Sequence, residues 1–186
     1  MFSENLQYIF DLIILFLTSI IWLPLLILIS IIIFLYQRKV FFIQERYGKN
    51  FKIFKIYKFM TIPPKTHINN ISKFNRFLRR SSLDEIPQVY NILKKEMSLV
   101  GPRPIIVSKN FDKNKYNLIQ KHKVLPGLTG LSQIKSKGAK RDLNVKINLD
   151  LMYIEKKNIF LYLYILFITL FIILKKYIKN KTGETL

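Results

Sequence analysis

The stretch that decides the fold is the uncharged run from Leu12 to Tyr36, which reads LIILFLTSIIWLPLLILISIIIFLY. As a helix with a rise of about 1.5 Å per residue, this run would extend about 37 Å. The hydrocarbon core of a bilayer is about 30 Å thick. The run therefore predicts a membrane-associated helix near the amino terminus.

Two geometries are open for this helix. Pro24 lies near its middle, where a proline removes a backbone hydrogen bond and kinks a helix, so the chain could enter the membrane and return to the same face. The residues alone favour a spanning helix. Because Arg38 is the first basic residue of the chain, the positive-inside rule predicts a cytoplasmic location for residues 39–158 under either geometry. Glu4 and the absence of an early basic residue predict a retained anchor and not a cleaved signal peptide.

The composition combines 50% hydrophobic residues with a net charge of +20 over 186 residues. The two properties are compatible because the apolar residues are segregated into Leu12–Tyr36 and Ile159–Leu174. The second run is slightly short for a span, so burial at the interface competes with crossing. We therefore predict a membrane anchor over 1–38, a cytoplasmic domain with the candidate catalytic residues over 39–158, and a membrane-associated helix with a basic tail over 159–186.

A strongly basic chain binds polyanions, which include nucleic acid, anionic lipid and phosphorylated substrates. The apolar segments favour membrane lipids and phosphate. No helix-turn-helix, zinc or RNA-binding signature is present, so we predict no nucleic-acid partner. The chain has no cysteine, which excludes disulfides and thiolate metal sites.

Between the apolar segments, the patterning predicts short strands on either side of a Gly48–Asn50 turn, together with several helices. The predicted helices cover 70–80, 86–93, 111–122 and 142–157, and the predicted loops cover 98–104 and 126–138.

The adjacent pair Asp84-Glu85 is the first candidate for chemistry, and it precedes the predicted helix 86–93. Ser82 and Glu85 also match a capping box, which explains the acidic pair without any catalysis. From this pattern alone, capping is the favoured interpretation. Pro87 weakens it, because Pro87 would fall at a helical position where a backbone N–H is expected.

The functional interpretation uses the same residues. A carboxylate at a helix amino terminus among cations is expected to stay ionised and can attack phosphorus. A second carboxylate beside it can hold Mg²⁺. Arg103 lies between two prolines in Gly101–Pro104, and this rigid segment would present a guanidinium suited to phosphate or leave it solvated in a surface turn.

The other polar candidates have weaker signals. The lysines spaced by three are typical of a solvated face, and the two arginines before Asp84 could reach the same pocket; these residues are Lys52, Lys55, Lys58, Arg79 and Arg80. His67 and His122 have no metal-ligand spacing and are predicted to be structural or solvent-exposed.

Six motifs, in this order, resemble the bacterial sugar transferase family, the monotopic polyprenyl-phosphate phosphoglycosyl transferases, and are similar in particular to its small glycan-initiating type. They are QERYGK (44–49), FKIYKF (54–59), LRRSSLDEIPQ (78–88), MSLVGPRP (97–104), PGLTGLSQ (126–133) and LDLMY (149–153). The resemblance covers nearly the whole chain, and six ordered motifs outweigh the plain capping interpretation of Asp84-Glu85.

The resemblance implies a mechanism and its residues. Asp84 would attack the sugar-proximal phosphorus of a UDP-sugar and release UMP, and polyprenyl (undecaprenyl) phosphate would then take the phosphosugar from the aspartyl intermediate. Glu85, with Asp84, would bind Mg²⁺. The substrate-binding residues would be Lys58, Arg79, Arg103, Gln133 and Lys137.

The resemblance also implies a re-entrant first helix with both ends in the cytoplasm, and we follow it here. The predicted fold is α+β and mostly helical, with a small β element, an N-terminal re-entrant or transmembrane helix and C-terminal interfacial helices. The location would be the bacterial inner membrane, with the catalytic domain on its cytoplasmic face.

Three departures from the family pattern bear on this prediction. Leu23 precedes Pro24 in place of a serine, Met60 replaces a basic residue, and Lys137 stands where a substrate arginine is expected. A lysine keeps the charge but loses the planar fork of arginine.

The rival interpretation is a catalytically silent membrane-binding adaptor that keeps the fold, and the intact Asp84-Glu85 pair argues against it. The sequence does not define an oligomeric state, and a homodimer is one of the assemblies it allows.

Overall fold

The computed structural model describes residues 2–63, 71–108, 116–135 and 143–181. Helices dominate, and two small sheets complete the fold, which agrees with a mostly helical α+β architecture. Among the described residues, one helix is long and apolar enough to cross a membrane.

The elements follow one another in this order along the chain. They are α1 (Glu4–Gln37), β1 (Phe41–Tyr47), a 3₁₀ turn (Lys49–Phe51), β2 (Ile53–Phe59), α2 (Lys73–Ser81), a 3₁₀ helix (Leu83–Gln88), α3 (Val89–Leu93), β3 (Ser98–Val100), β4 (Ile105–Ile106), α4 (Tyr116–Lys121), β5 (Gly127–Thr129), α5 (Leu131–Lys135), α6 (Leu143–Glu155) and α7 (Ile159–Lys181).

The predicted hairpin is confirmed. β1 and β2 pair antiparallel from Phe41↔Phe59 to Tyr47↔Ile53, and β4 adds to the other edge of β1. Side chains that alternate along a strand point to opposite faces. The face of β2 that contains Phe54 and Ile56 is therefore buried.

Two predicted loops contain strands. β3 lies within 98–104 and pairs in parallel with β5, which lies within 126–138. α5 follows within the same predicted loop, so both loop predictions are wrong in part. Strands of three residues carry too little alternation to be distinguished from loops, and Gly127 in β5 and Gly130 directly after it are normally read as loop signals.

The glycines of these segments have a packing role. A Cβ at Gly127 would lie 2.0 Å from the Gly101 nitrogen, and a Cβ at Gly130 would lie 2.2 Å from the Gly101 oxygen. The backbones of the two segments thus approach more closely than any side chain would allow. This contact fixes the Gly101–Pro104 segment against β5.

α1 runs through Pro24 as one helix and packs against the rest of the chain near both its ends. Toward its amino terminus, Asp11 accepts hydrogen bonds from the Tyr162 hydroxyl (2.6 Å) and the Leu99 amide (3.2 Å). Toward its carboxyl terminus, Ile29 and Ile33 belong to a buried cluster with Phe59 and Leu78. The helix therefore lies along the body of the molecule.

The outward faces of α1 and α7 are apolar. Phe16 and Ile20 on α1 are 78% and 80% exposed, and Phe160 and Phe167 on α7 are 80% and 69% exposed. Exposed apolar surface of this extent is typical of a membrane or protein interaction face.

The helices predicted over 70–80, 142–157 and 159–174 are confirmed as α2, α6 and α7. Only the carboxyl-terminal part of the prediction over 111–122 lies within the described residues, where it is α4.

The close glycine contact yields a prediction of stability. Gly127→Ala should lower the melting temperature, because overpacking of a rigid backbone costs about 1–3 kcal/mol. Gly48→Ala is the milder comparison, since its nearest contacts would be a Phe54 side-chain carbon at 3.1 Å and the Lys52 carbonyl oxygen at 3.2 Å. Thermal unfolding of both variants in the same detergent measures the difference, and equal melting temperatures would contradict the packing role.

Candidate active site

The acidic pair lies on a 3₁₀ helix and not on an α-helix. Leu83–Gln88 forms the 3₁₀ segment, and α3 begins only at Val89. The predicted α-helix over 86–93 is therefore wrong over its first residues. Pro87 gives the reason, because it lacks an N–H and disfavours the α conformation of the residue before it.

The capping interpretation of the pair finds no support in the geometry. Ser82 adopts a left-handed conformation with φ of 62°, and its side chain makes no capping hydrogen bond. A capping box requires that bond. The position of Asp84 and Glu85 is thus not explained by helix capping.

Asp84 and Glu85 face a cavity of about 650 Å³ whose lining carries several cations. Of the predicted site residues, this cavity brings together Lys58, Arg79, Asp84, Glu85 and Arg103. They come from β2, the end of α2, the 3₁₀ helix and the segment after β3. The structure therefore gathers residues from distant parts of the chain around one space.

The charges of this cavity are directly coupled. Lys58 Nζ lies 2.5 Å from Glu85 Oε1, and both side chains are partly exposed to the cavity. Arg79 donates to the Thr61 hydroxyl at 3.4 Å. Of these contacts, the ion pair between Lys58 and Glu85 ties β2 to the 3₁₀ helix.

Asp84 is only 9% exposed. Burial, followed by the charge of Glu85, raises the pKa of Asp84 above its usual value, while Lys58 and Arg79 act in the opposite direction. Desolvation thus acts against the ionised form that the sequence analysis expects for this carboxylate, and the two cations act in its favour. An anionic Asp84 in this position is poorly solvated, which favours its reaction as a nucleophile.

The segment that carries Arg103 is held on both sides. The Gly127 amide donates to the Pro102 carbonyl at 2.9 Å, and Arg46 Nη1 donates to the Pro104 carbonyl at 3.1 Å. Two prolines also restrict its backbone. Arg103 is therefore offered to the cavity from a backbone with little freedom to lose.

Arg46 is a site residue that the sequence motifs did not single out. It lines the same cavity, and burial together with the nearby charge of Arg103 lowers its pKa. Its buried Nε has no hydrogen-bond partner in the described part of the chain. The sequence offered one signal for it, the two-residue period of the strands. Applied to the pairing of β1 with β2, this period sets Arg46 and Lys58 on the same face of the hairpin.

The last two predicted binding residues have different outcomes. Gln133, on α5, lines a small space together with Lys58, Glu85 and Arg103, so it belongs to the same site. Lys137 lies outside the described residues. Met60 is buried in the wall of the cationic cavity, where it contributes no charge.

Of the other sequence candidates, the described residues His122, Lys52 and Lys55 do not line the cationic cavity. His122 is buried and stacks on Phe51 with ring centroids 4.2 Å apart, which agrees with a structural role. His67 lies outside the described residues. Lys52 and Lys55 are exposed, as expected for a solvated face.

A divalent metal site at Asp84 and Glu85 has two protein carboxylates available. No group of three or more histidine, cysteine or acidic side chains is placed to hold a metal within the described ranges. Mg²⁺ is usually bound by one or two carboxylates together with substrate phosphates and water. The donor set thus fits Mg²⁺ bound with a phosphorylated substrate and does not fit a fully protein-coordinated metal.

A buried carboxylate that faces ammonium and guanidinium groups is an arrangement whose cations can pair with phosphate. The chain belongs to the bacterial sugar transferase family, because the sequence model of that family matches residues 2–176. The residues around the cavity all fall within this matched region.

Curated relatives support the same assignment. A UDP-glucose:undecaprenyl-phosphate glucose-1-phosphate transferase of Klebsiella pneumoniae is 39% identical over 150 residues, which cover 71% of this chain and 32% of that protein. A galactosyl transferase of Streptococcus agalactiae is 35% identical over 72% of this chain and 34% of its own length. A UDP-N-acetylgalactosamine-undecaprenyl-phosphate N-acetylgalactosaminephosphotransferase of Aeromonas hydrophila is 31% identical over 70% of this chain and 34% of its own length. The chain thus spans about a third of the length of these relatives.

The raised pKa of Asp84 predicts a stability gain on neutralisation. A pKa that is higher in the folded state than in the unfolded state means that ionisation of Asp84 opposes folding. This destabilisation is complete at pH values above the folded-state pKa and absent at pH values below the unfolded-state pKa. Asp84→Asn should therefore raise the melting temperature near pH 7.5, and the gain should shrink as the pH falls.

The matched control is Asp150→Asn, which removes one partner of the buried Lys121–Asp150 ion pair (2.6 Å). That change should lower the melting temperature, because it leaves a buried ammonium without its counter-charge. A lower melting temperature for Asp84→Asn at pH 7.5 would show that Asp84 stabilises the fold as an anion.

Proposed function

We propose that this chain is a phosphoglycosyl transferase that moves a sugar phosphate from a UDP-sugar to polyprenyl phosphate and starts a surface glycan or glycoprotein. The observation that carries the proposal is Asp84, buried at the wall of a cavity lined by Lys58, Arg79 and Arg103. The names of the relatives, which include UDP-sugars and undecaprenyl phosphate, support the choice of substrates.

In the first step, a carboxylate oxygen of Asp84 attacks the sugar-proximal phosphorus of the UDP-sugar. The bond from that phosphorus to the bridging oxygen breaks, and UMP leaves with the electron pair. The guanidinium groups of Arg79 and Arg103 offset charge on the phosphoryl oxygens, since arginine pairs with phosphate through two donors.

In the second step, a phosphate oxygen of polyprenyl phosphate attacks the same phosphorus. The bond to the Asp84 oxygen breaks, which restores the carboxylate and gives a polyprenyl diphosphate sugar. A covalent intermediate of this kind divides one displacement into two and predicts ping-pong kinetics.

Mg²⁺, held by Glu85 and Asp84 with the substrate phosphates, would neutralise phosphate charge during transfer. Lys58 positions Glu85 through their ion pair. Gln133 and Lys137 are proposed to contact the substrate, and the uncharged Met60 in the cavity wall leaves this enzyme with less positive charge than the family pattern has.

The membrane arrangement is a further part of the proposal. We place α1 in the membrane as a re-entrant helix and the catalytic domain on the cytoplasmic face of the inner membrane. Contacts of α1 with the body near both its ends support this placement, because a helix that spans a bilayer would meet a domain on one side only near one end. Arg38 and Lys39 after α1 agree with a cytoplasmic carboxyl end of the helix.

Formation of the phosphosugar adduct tests the reaction. With a panel of UDP-sugars and no acceptor, the wild type should release at most one UMP per protein in a burst and acquire a phosphosugar on Asp84, which peptide mass spectrometry locates. Asp84→Asn should give neither. Chelation of divalent cations should suppress the burst as well.

Glu45→Gln is the control for this experiment. It removes the same charge as Glu85→Gln but from the exposed face of the hairpin, so it should keep the wild-type burst while Glu85→Gln slows it. Absence of any Asp84-dependent UMP across the panel would favour the membrane-binding adaptor.

The absence of cysteine makes the membrane placement testable by labelling. Single substitutions Asn5→Cys and Lys39→Cys introduce thiols at exposed positions on either side of the apolar run. Both should react with a membrane-impermeant maleimide in inside-out vesicles and be protected in spheroplasts. Labelling of the two positions from opposite sides would establish a spanning helix.

A further inference from the structure

A second cavity shares Ser82 and Glu85 with the cationic one. Its volume is about 340 Å³, which is within the range of about 300–1,000 Å³ typical of ligand pockets. Its walls are mostly aliphatic or aromatic and come from α1, α7 and the segment around β5. Examples are Trp22, Leu128 and Ile172.

The two cavities share an edge. Ser82 and Glu85 line both of them, whereas Lys58, Arg79 and Arg103 line the cationic cavity and are absent from the lining of the apolar one. A molecule in the apolar cavity would therefore end beside Glu85, next to the position of the reacting phosphorus. The cavity itself offers no cation to a phosphate group among the described residues that line it.

The apolar cavity is formed by the helices that carry the exposed apolar faces. On α7, Ile172 and Ile173 line the cavity, while the neighbouring Phe171 and Leu174 are 57% and 51% exposed on the outer surface. The polar features of its wall include a hydroxyl pair between Thr129 and Thr169 at 2.7 Å, and Thr169 also donates to the Ile165 carbonyl. These two hydroxyls have partners within the protein, and the other polar side chains of the lining are Ser82, Glu85 and Gln133.

We propose that this cavity holds the first isoprene units of the polyprenyl acceptor and so aims its phosphate at Asp84 across Glu85. The inference rests on the proposed function and assigns the second substrate to its own space. A nucleotide or a sugar does not suit aliphatic walls, since burying their polar groups without partners is costly. A prenyl chain matches them, and its phosphate would lie at the shared edge, where the cationic cavity begins.

The division of the site gives the two steps separate requirements. The donor needs only the cationic cavity, whereas the acceptor needs both. Filling the apolar cavity should therefore stop the second step and spare the first.

The test compares two substitutions at adjacent positions of α7, one that points into the apolar cavity and one on the outer surface. Ile172→Trp fills the cavity, and Phe171→Trp places the same side chain on the outer surface of the same helix. UMP release without acceptor and transfer of labelled phosphosugar to undecaprenyl phosphate are measured separately. For Ile172→Trp we expect a burst equal to that of Phe171→Trp and a transfer rate lower by about tenfold or more, which corresponds to about 1.4 kcal/mol.

Equal transfer rates for the two variants would overturn the proposal. Absence of a burst in the wild type would instead refute the proposed function, so the two failures are distinguishable. A burst lost only in Ile172→Trp would show that the cavity also serves the first step, which contradicts the division.

Photolabelling of the wild type keeps the proposal testable if Ile172→Trp does not fold. A prenyl phosphate with a diazirine in its first isoprene units should label peptides of α7 or of β5, and excess undecaprenyl phosphate should suppress this labelling. Suppression by phosphatidylglycerol vesicles to the same extent would identify the cavity as a general acyl-chain site and overturn the assignment.

Discussion

The ion pair between Lys58 and Glu85 joins the β-hairpin to the 3₁₀ helix. Asp84, Arg79 and Arg103 line the same cavity as this pair. Glu85 would otherwise add its full charge to that of Asp84, which is already buried. With the lysine in contact, two adjacent carboxylates can remain next to a partly closed cavity. The same pairing leaves Glu85 at the boundary between cationic and apolar walls, where two chemically different substrates would meet.

Local patterns in the sequence predicted local structure well. The hairpin follows from alternation on either side of Gly48, and the apolar runs become α1 and α7. The convergence of Lys58, Arg79, Arg103 and the acidic pair followed from the order of motifs and not from any local rule. Arg46 was missed because its role depends on the strand register, which sets it on the Lys58 face.

The errors in the predicted loops and in the predicted helix over 86–93 have different physical origins. β3 and β5 are too short to show a period, and they exist because three glycines let two backbones approach each other. The 3₁₀ geometry of Leu83–Gln88 reflects Pro87 within a segment that otherwise has a helical pattern. The loop error thus comes from backbone packing between distant segments, whereas the helix error comes from a local effect of Pro87 that a periodic pattern does not register.

The hydrogen bond from Tyr162 to Asp11 spans 151 positions of the chain. Because α1 is synthesised before α7, the buried carboxylate of Asp11 gains this partner only after α7 has been made. Until then the Asp11 carboxylate lacks the Tyr162 hydroxyl, and burying it without that partner is costly. The order of synthesis therefore makes completion of the core around Asp11 depend on α7, however early α1 itself forms.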